Sequence, residues 1–253
     1  MLDELLAAGT FAVLLVFVRV GAAIMLLPGY GEPYVSPRMR LLLALMTSLV
    51  VTPVLGPNLP AMPQSAAALT LLILGEALIG AFLGTLARLF LAALTTAGMV
   101  IAYMSTMANA LTNDPSAAQQ GSISGSFLTA VALLTIFTLD LHHLMLLAVV
   151  DSYQLFAPGQ VPPVGDFADM MSRVVAKTFL LSFQIAAPFV AVGLIFFLGL
   201  GLLGRLMPQM QVFFVAMPLQ IAVGLMVLVA VLPAAIRWFT VAFEETLLPF
   251  VAL

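Results

Sequence analysis

AAALTLLILGEALIGAFLGTLARLFLAALTTAGMVIAYM, residues 66–104, decides the fold class of this chain, and its only charged residues are Glu76 and Arg88. At about 1.5 Å per residue, one helix of this length would be ~60 Å long. That is about twice the roughly 30 Å hydrocarbon core of a bilayer. The stretch therefore predicts a long tilted membrane helix, a broken helix or a helical hairpin.

The rest of the chain has the same apolar character. Of its 253 residues, 63% are hydrophobic and 8% are charged, and the mean hydropathy is +1.21. Soluble domains are about a quarter charged. Further apolar runs lie at about 5–27, 127–150, 174–204 and 212–236, with a shorter one at 41–55. We predict an all-α integral membrane protein with five or six helical segments.

The helices of this protein are not expected to be simple straight spans. Pro188, Pro218 and Pro233 lie inside apolar runs, where proline removes a backbone hydrogen bond and favours a kink. Arg38 and Arg40 follow the first run and favour an N-terminus on the outer side, but the remaining basic residues fit no single orientation. Kinked helices in an unusual membrane topology are the expectation.

Composition also excludes several functions. The formal net charge of -3 leaves no basic surface for nucleic acid. The chain has no cysteine, so it has neither disulfides nor thiolate metal sites. The segment GSISG, residues 121–125, has Ile123 where the nucleophile-elbow motif requires serine. We expect no catalytic residues, no cofactor and no metal.

Ionisable residues inside membrane segments are costly and suggest function. Arg19, Glu76, Arg88, Asp140 and His143 are therefore candidates for intramembrane polar contacts. Glu76 and Arg88 are too far apart to pair along one helix, so each is expected to have a partner elsewhere or an aqueous surface. Arg19 either extends to the membrane interface or forms a buried pair with another subunit.

Two spacings are informative. Asp140 and His143 share a helix face, which fits a proton-transfer or pH-sensitive contact, a local pair, or a contact with a neighbouring subunit. A metal site there lacks a third ligand at a recognisable spacing. Gly80 and Gly84 form a small-xxx-small pattern, which predicts close helix packing.

A long polar loop interrupts the apolar chain: MSTMANALTNDPSAAQQGSISGS, residues 104–126, contains a single charge. Loops longer than about 12–15 residues without secondary structure are usually functional or disordered. Taken alone, this loop is either an exposed connector or a functional segment.

Four segments, residues 19–45, 98–115, 142–159 and 201–224, together resemble the FliR family, membrane subunits of the flagellar type III protein export gate. The most specific pieces are Asn113-Asp114-Pro115, the His142-to-Gly159 segment and Leu206-Met207-Pro208-Gln209-Met210. The sequence departs from the family at Leu141-His142-His143, where a Gly-Gly-His kind of sequence is expected. A tight glycine contact at that point is therefore in doubt.

The resemblance implies one non-enzymatic subunit over residues 1–253, with a FliP-like portion over about 1–170 and a FliQ-like hairpin over about 171–253. It implies kinked, tilted helical hairpins that assemble with FliP-like and FliQ-like subunits into a channel and contact FlhB and FlhA. The channel would pass unfolded export substrates across the bacterial inner membrane at the flagellar basal body.

The resemblance also implies that the polar loop plugs the channel. Fixed charges would attract or repel cargo by sign, which a nearly uncharged polar loop avoids. The residues expected to contribute to the plug are Met104, Met107, Asn109, Asn113, Asp114, Gln119 and Gln120. Two alternatives are the equivalent subunit of an injectisome and a small-solute secondary transporter, with Asp140, His143, Glu76 and Arg88 as coupling groups.

Overall fold

The computed structural model describes residues 2–56, 59–107, 122–160, 162–207 and 212–251. Over these residues the chain forms α-helices joined by short turns, and no β-strand is present among them. The helices are α1 (Leu2–Ile24), α2 (Pro37–Leu55), α3 (Ala66–Met104), α4 (Ile123–Thr138), α5 (Leu141–Leu155), α6 (Val164–Leu206) and α7 (Val212–Leu247), followed by a 3₁₀-helix at Leu248–Phe250.

The membrane character predicted from composition is confirmed. Four of the described helices, α2, α3, α6 and the region Ala216–Phe250, are long and apolar enough to cross a membrane. The α4 and α5 pair makes a fifth candidate span if it counts as one. Of the three possibilities for residues 66–104, the structure has the single continuous helix, α3, which contains 39 residues.

Among the described residues, a sharp bend separates α4 and α5 at a point where the sequence has no proline. Helices α4 and α5 are bent by 73°. Between them Asp140 has a φ of 57°, the left-handed conformation, which Asp tolerates better than most residues but which a right-handed helix cannot contain. By contrast, α6 continues through Pro188, and α7 continues through Pro218 and Pro233.

The chain divides into two compact units, each built from non-consecutive segments. Unit 1 comprises Met1–Leu89, Ile136–Val174 and Phe243–Leu253, and unit 2 comprises Phe90–Thr135 and Val175–Ala242. This division reflects packing within the chain, and the FliP-like to FliQ-like join near residue 170 remains a prediction.

In unit 1, α1 and α3 pack closely because two glycines on α3 leave room for the α1 backbone. A Cβ atom on Gly84 would lie 2.7 Å from the Cβ of Leu26, and one on Gly80 would overlap the carbonyl oxygen of Arg19. The close packing predicted from the glycine pattern is confirmed. The core beside it includes stacked rings of Phe82 and Phe167, whose centroids are 4.0 Å apart.

In unit 2, α3 and α4 also meet through glycine, because a Cβ atom on Gly98 would collide with the backbone of Gly125. Helix α6 joins them where the Ser182 hydroxyl donates to the Ala93 carbonyl at 2.9 Å. Among the fully buried side chains, Phe90 and Leu128 belong to this core. The end of α3, from which the polar loop starts, is therefore part of a packed unit.

Candidate functional site

Among the described residues, the most buried charged group lies in unit 1, where Arg19 on α1 meets Glu76 on α3. Arg19 Nε donates to Glu76 Oε2 at 2.7 Å, and Arg19 Nη2 donates to Glu76 Oε1 at 3.0 Å. The exposed fractions of the two side chains are 0% and 2%. Two parallel hydrogen bonds between charged groups form the strongest kind of side-chain pair in proteins.

Helix α5 completes the surroundings of the guanidinium. Arg19 Nη1 donates to the Ser152 hydroxyl at 3.1 Å, and Nη2 donates to the Phe156 carbonyl at 2.9 Å. The Tyr153 ring lies 3.7 Å from the Arg19 Cζ atom, in a cation-π contact. This centre holds α1, α3 and α5 together. Both carboxylate oxygens of Glu76 accept hydrogen bonds from Arg19, whereas the buried Tyr153 hydroxyl has no hydrogen-bond partner among the described residues.

This arrangement answers the sequence expectations for three residues. Glu76 has its partner on another helix, as expected. Arg19 does not extend to an interface and needs no other subunit, because its partner lies 57 residues later in the same chain. Arg88 is exposed and makes no hydrogen bond or ion pair with any residue that the structure describes.

Asp140 and His143 form a local pair at the bend between α4 and α5. His143 Nδ1 lies 3.5 Å from Asp140 Oδ1, and the exposed fractions of the two side chains are 64% and 75%. The expectation that both residues share a helix face is wrong, because Asp140 precedes α5 in the left-handed conformation. Within the chain the pair faces outward, so the residues do not form a buried proton relay.

The same bend brings His142 close to Asp140 and His143, which gives the third potential metal ligand that the spacing did not predict. One ligand atom from each of Asp140, His142 and His143 lies within 4.8 Å of the others. The two imidazole rings, however, lie 4.0 Å apart at their centroids with planes inclined by only 37°. Since the Asp140 and His143 side chains are largely exposed, we do not propose a metal site at this bend.

The polar loop begins in unit 2, where α3 ends at Met104. The Ser105 amide and hydroxyl both donate to the Ile101 carbonyl, at 2.9 and 2.7 Å. Thr106 then adopts a left-handed φ of 57°. For a β-branched residue this conformation is strongly disfavoured, so packing around the turn must stabilise it.

Helices α6 and α7 supply that packing. The Gln220 amide nitrogen donates to the Met104 carbonyl at 2.6 Å, and the Gln220 side chain is only 4% exposed. Gly193 on α6 faces Met104, and Gly224 on α7 faces Ser105. Sequence reasoning missed these three residues, although Gln220 could have been found as the only strongly polar residue in the apolar run 212–236.

The far end of the loop is held near its start. The Ser124 hydroxyl lies 3.6 Å from Met107 Sδ, and the Ser122 hydroxyl accepts a hydrogen bond from the Gly125 amide at 2.9 Å. Met104 and Met107 are thus the expected plug residues that the structure places, both at the loop base. The other expected plug residues lie outside the described residues: Asn109, Asn113, Asp114, Gln119 and Gln120.

Comparison with known proteins gives one family. The profile of the family described as "Bacterial export proteins, family 1" matches residues 10–246. The chain is 37% identical to the flagellar biosynthetic protein FliR of Caulobacter vibrioides over 233 residues, 92% of this chain and 93% of the relative. It is 32% identical to that of Bacillus subtilis, covering 86% of this chain and 85% of the relative, and 28% identical to that of Escherichia coli, covering 90% and 86%. The resemblance inferred from the four segments is confirmed.

Proposed function

The chain belongs to the family of bacterial export proteins, family 1, and on this premise we propose that it is a channel subunit of the flagellar protein export gate in the bacterial inner membrane. In this role it passes unfolded flagellar proteins without chemistry of its own. The relatives named above are flagellar biosynthetic proteins, which favours the flagellar basal body over an injectisome.

The central loop is the pore plug in this proposal, and one observation carries it: both ends of the loop are held. Met104 is bound by Gln220, and Met107 contacts Ser124. The segment between them is therefore presented from a fixed base. It contains Asp114 as its only charged residue, so it fills a lumen without selecting cargo by charge.

The exposed apolar surface supports assembly with other membrane subunits. Helix α2 buries one stripe, Ala44, Ser48, Thr52 and Leu55, and leaves large side chains such as Val50 and Val54 exposed. We propose that such faces contact lipid and FliP-like and FliQ-like subunits, with FlhB and FlhA as further partners.

The solute-transporter alternative needs accessible coupling groups within the chain. Both Glu76 carboxylate oxygens are paired with Arg19, and the Asp140–His143 pair is exposed at a bend. These positions argue against a continuous relay, so we do not propose transport of a small solute.

The test has two parts. The tagged chain is expressed with its neighbouring genes, purified in mild detergent and analysed by mass spectrometry for small helical membrane partners. Ion leak is then compared between wild type and a variant in which residues 108–121 are deleted, with an equal-length Gly-Ser replacement as the control for length. We expect a hetero-oligomer and a clear leak in the deletion variant. A particle containing only this chain would contradict the assembly, and an unchanged leak would contradict the plug.

A further inference from the structure

We propose that Gln220 is a positioning residue that seats the base of the plug loop. This inference rests on the plug role proposed above and concerns how the loop is kept closed. It assigns a gating task to one side chain of α7 outside the loop.

The hydrogen bond of Gln220 is made where the end of α3 needs a donor. The last carbonyl groups of an α-helix have no partner within the helix. Gln220 donates to that of Met104, the final residue of α3, at 2.6 Å. Apolar side chains including Phe189 and Val223 surround the contact. A buried amide in such surroundings is costly unless it is hydrogen-bonded, so the two groups stabilise each other.

Two glycines shape the seat around this bond. A Cβ atom on Gly193 would lie 3.2 Å from the Cβ of Met104, and one on Gly224 would lie 2.6 Å from the Cβ of Ser105. Larger residues at these positions would displace the turn. Helices α6 and α7 thus touch the backbone that starts the loop, and Gln220 is the polar group that fixes it.

The left-handed Thr106 indicates that packing from outside the turn helps to stabilise it. A threonine with a φ of 57° relaxes toward negative φ when its surroundings allow. Loss of the Gln220 hydrogen bond removes the polar contact that ties the turn to α7, while the Ser105 bonds to Ile101 at the end of α3 remain. The loop base then leaves its seat more often, while the helices that build the unit stay packed.

The experiment compares Gln220→Leu with wild type in the co-expressed assembly. Leucine has a similar volume and no donor. We expect the closed-state ion leak to rise about tenfold, the factor that corresponds to about 1.4 kcal/mol, with unchanged recovery of the assembly. The matched control is Gln184→Leu, the same change on an exposed face of α6, which is expected to leak like wild type.

The 108–121 deletion separates the inference from the proposed function. If the deletion leaks and Gln220→Leu does not, the positioning role is overturned and the plug survives. If neither leaks, the plug proposal fails and the inference fails with it. If Gln184→Leu leaks as much as Gln220→Leu, the effect is not specific to the seat, and the inference is again overturned.

A cross-link distinguishes an unseated loop from a damaged unit. Because the chain has no cysteine, Met107→Cys and Ser124→Cys can be added to the Gln220→Leu variant as its only two thiols. Oxidation of the two thiols with copper phenanthroline is expected to return the leak toward wild type, and a reductant is expected to raise it again. A leak that stays high in the fully cross-linked protein would overturn the inference.

Discussion

Replacing Glu76 by glutamine should destabilise the protein far more than its similar shape suggests. Arg19 is fully buried and donates two hydrogen bonds to the Glu76 carboxylate. Glutamine keeps one acceptor oxygen for Arg19 but places an NH2 donor opposite the second guanidinium N–H, and the buried guanidinium loses its counter-charge. Breaking a buried ion pair by removing one partner costs about 3–5 kcal/mol.

The assay is thermal unfolding in detergent, followed by circular dichroism at a helix band. For a chain of this size, each kcal/mol shifts the midpoint by about 2–4 °C, so Glu76→Gln is expected to lower it by roughly 6–20 °C. The matched control is Asp169→Asn, the same chemical change at an exposed position on α6, which is expected to cost less than about 0.5 kcal/mol.

The double variant Arg19→Met/Glu76→Leu tests the physical cause. It removes both charges and fills the site with apolar groups, which is often neutral or stabilising at buried pairs. Its midpoint is expected to lie well above that of Glu76→Gln. A Glu76→Gln midpoint as high as that of the Asp169→Asn control would refute the reasoning, because the buried charge would then carry no cost.

Three further outcomes are expected from the same melting assay. Alanine at Gly80 should lower stability by about 1–3 kcal/mol through overpacking, because its Cβ would overlap an α1 carbonyl oxygen; an unchanged midpoint would show that α1 moves aside freely. Alanine at Gly29 should cost at least about 1 kcal/mol, since the φ there is 80° and the Phe137 ring lies 2.5 Å from the added Cβ, whereas Gly9→Ala, in open space on α1, should be neutral or stabilising. Asp140→Asn should stay within about 0.5 kcal/mol, because the side chain is exposed and asparagine tolerates the left-handed conformation; a large loss of stability or of export would reveal a role that its exposure does not suggest.

The sequence was sufficient for properties that depend on local pattern. The apolar run at 66–104 predicted helical membrane structure, without deciding between a long helix, a broken helix and a hairpin. Gly80 and Gly84 predicted close packing, because composition and spacing along one helix carry these signals. The bend at Asp140 was not predicted, because one residue in the left-handed conformation does not change the hydrophobic pattern of the sequence. Kinks were expected at prolines instead.

Contacts between side chains that lie far apart in the sequence were harder to predict than the helices themselves. Arg19 and Glu76 were both identified as costly polar residues, yet their separation of 57 residues hides the pairing. Gln220 lies 116 residues from the carbonyl it binds. Such contacts arise from the tertiary arrangement of helices. The sequence signal was a single polar side chain within an apolar run, because a buried polar group needs a hydrogen-bond partner.

The order of Arg19 and Glu76 along the chain also constrains how the protein is made. Synthesis at about 5–20 residues per second places Glu76 roughly 3–11 s behind Arg19, given their separation of 57 residues. During that interval α1 carries a cation whose counter-charge has not yet been synthesised, and a buried charge without a partner is costly. The Arg19 guanidinium therefore needs water or another polar group around it until α3 has been synthesised.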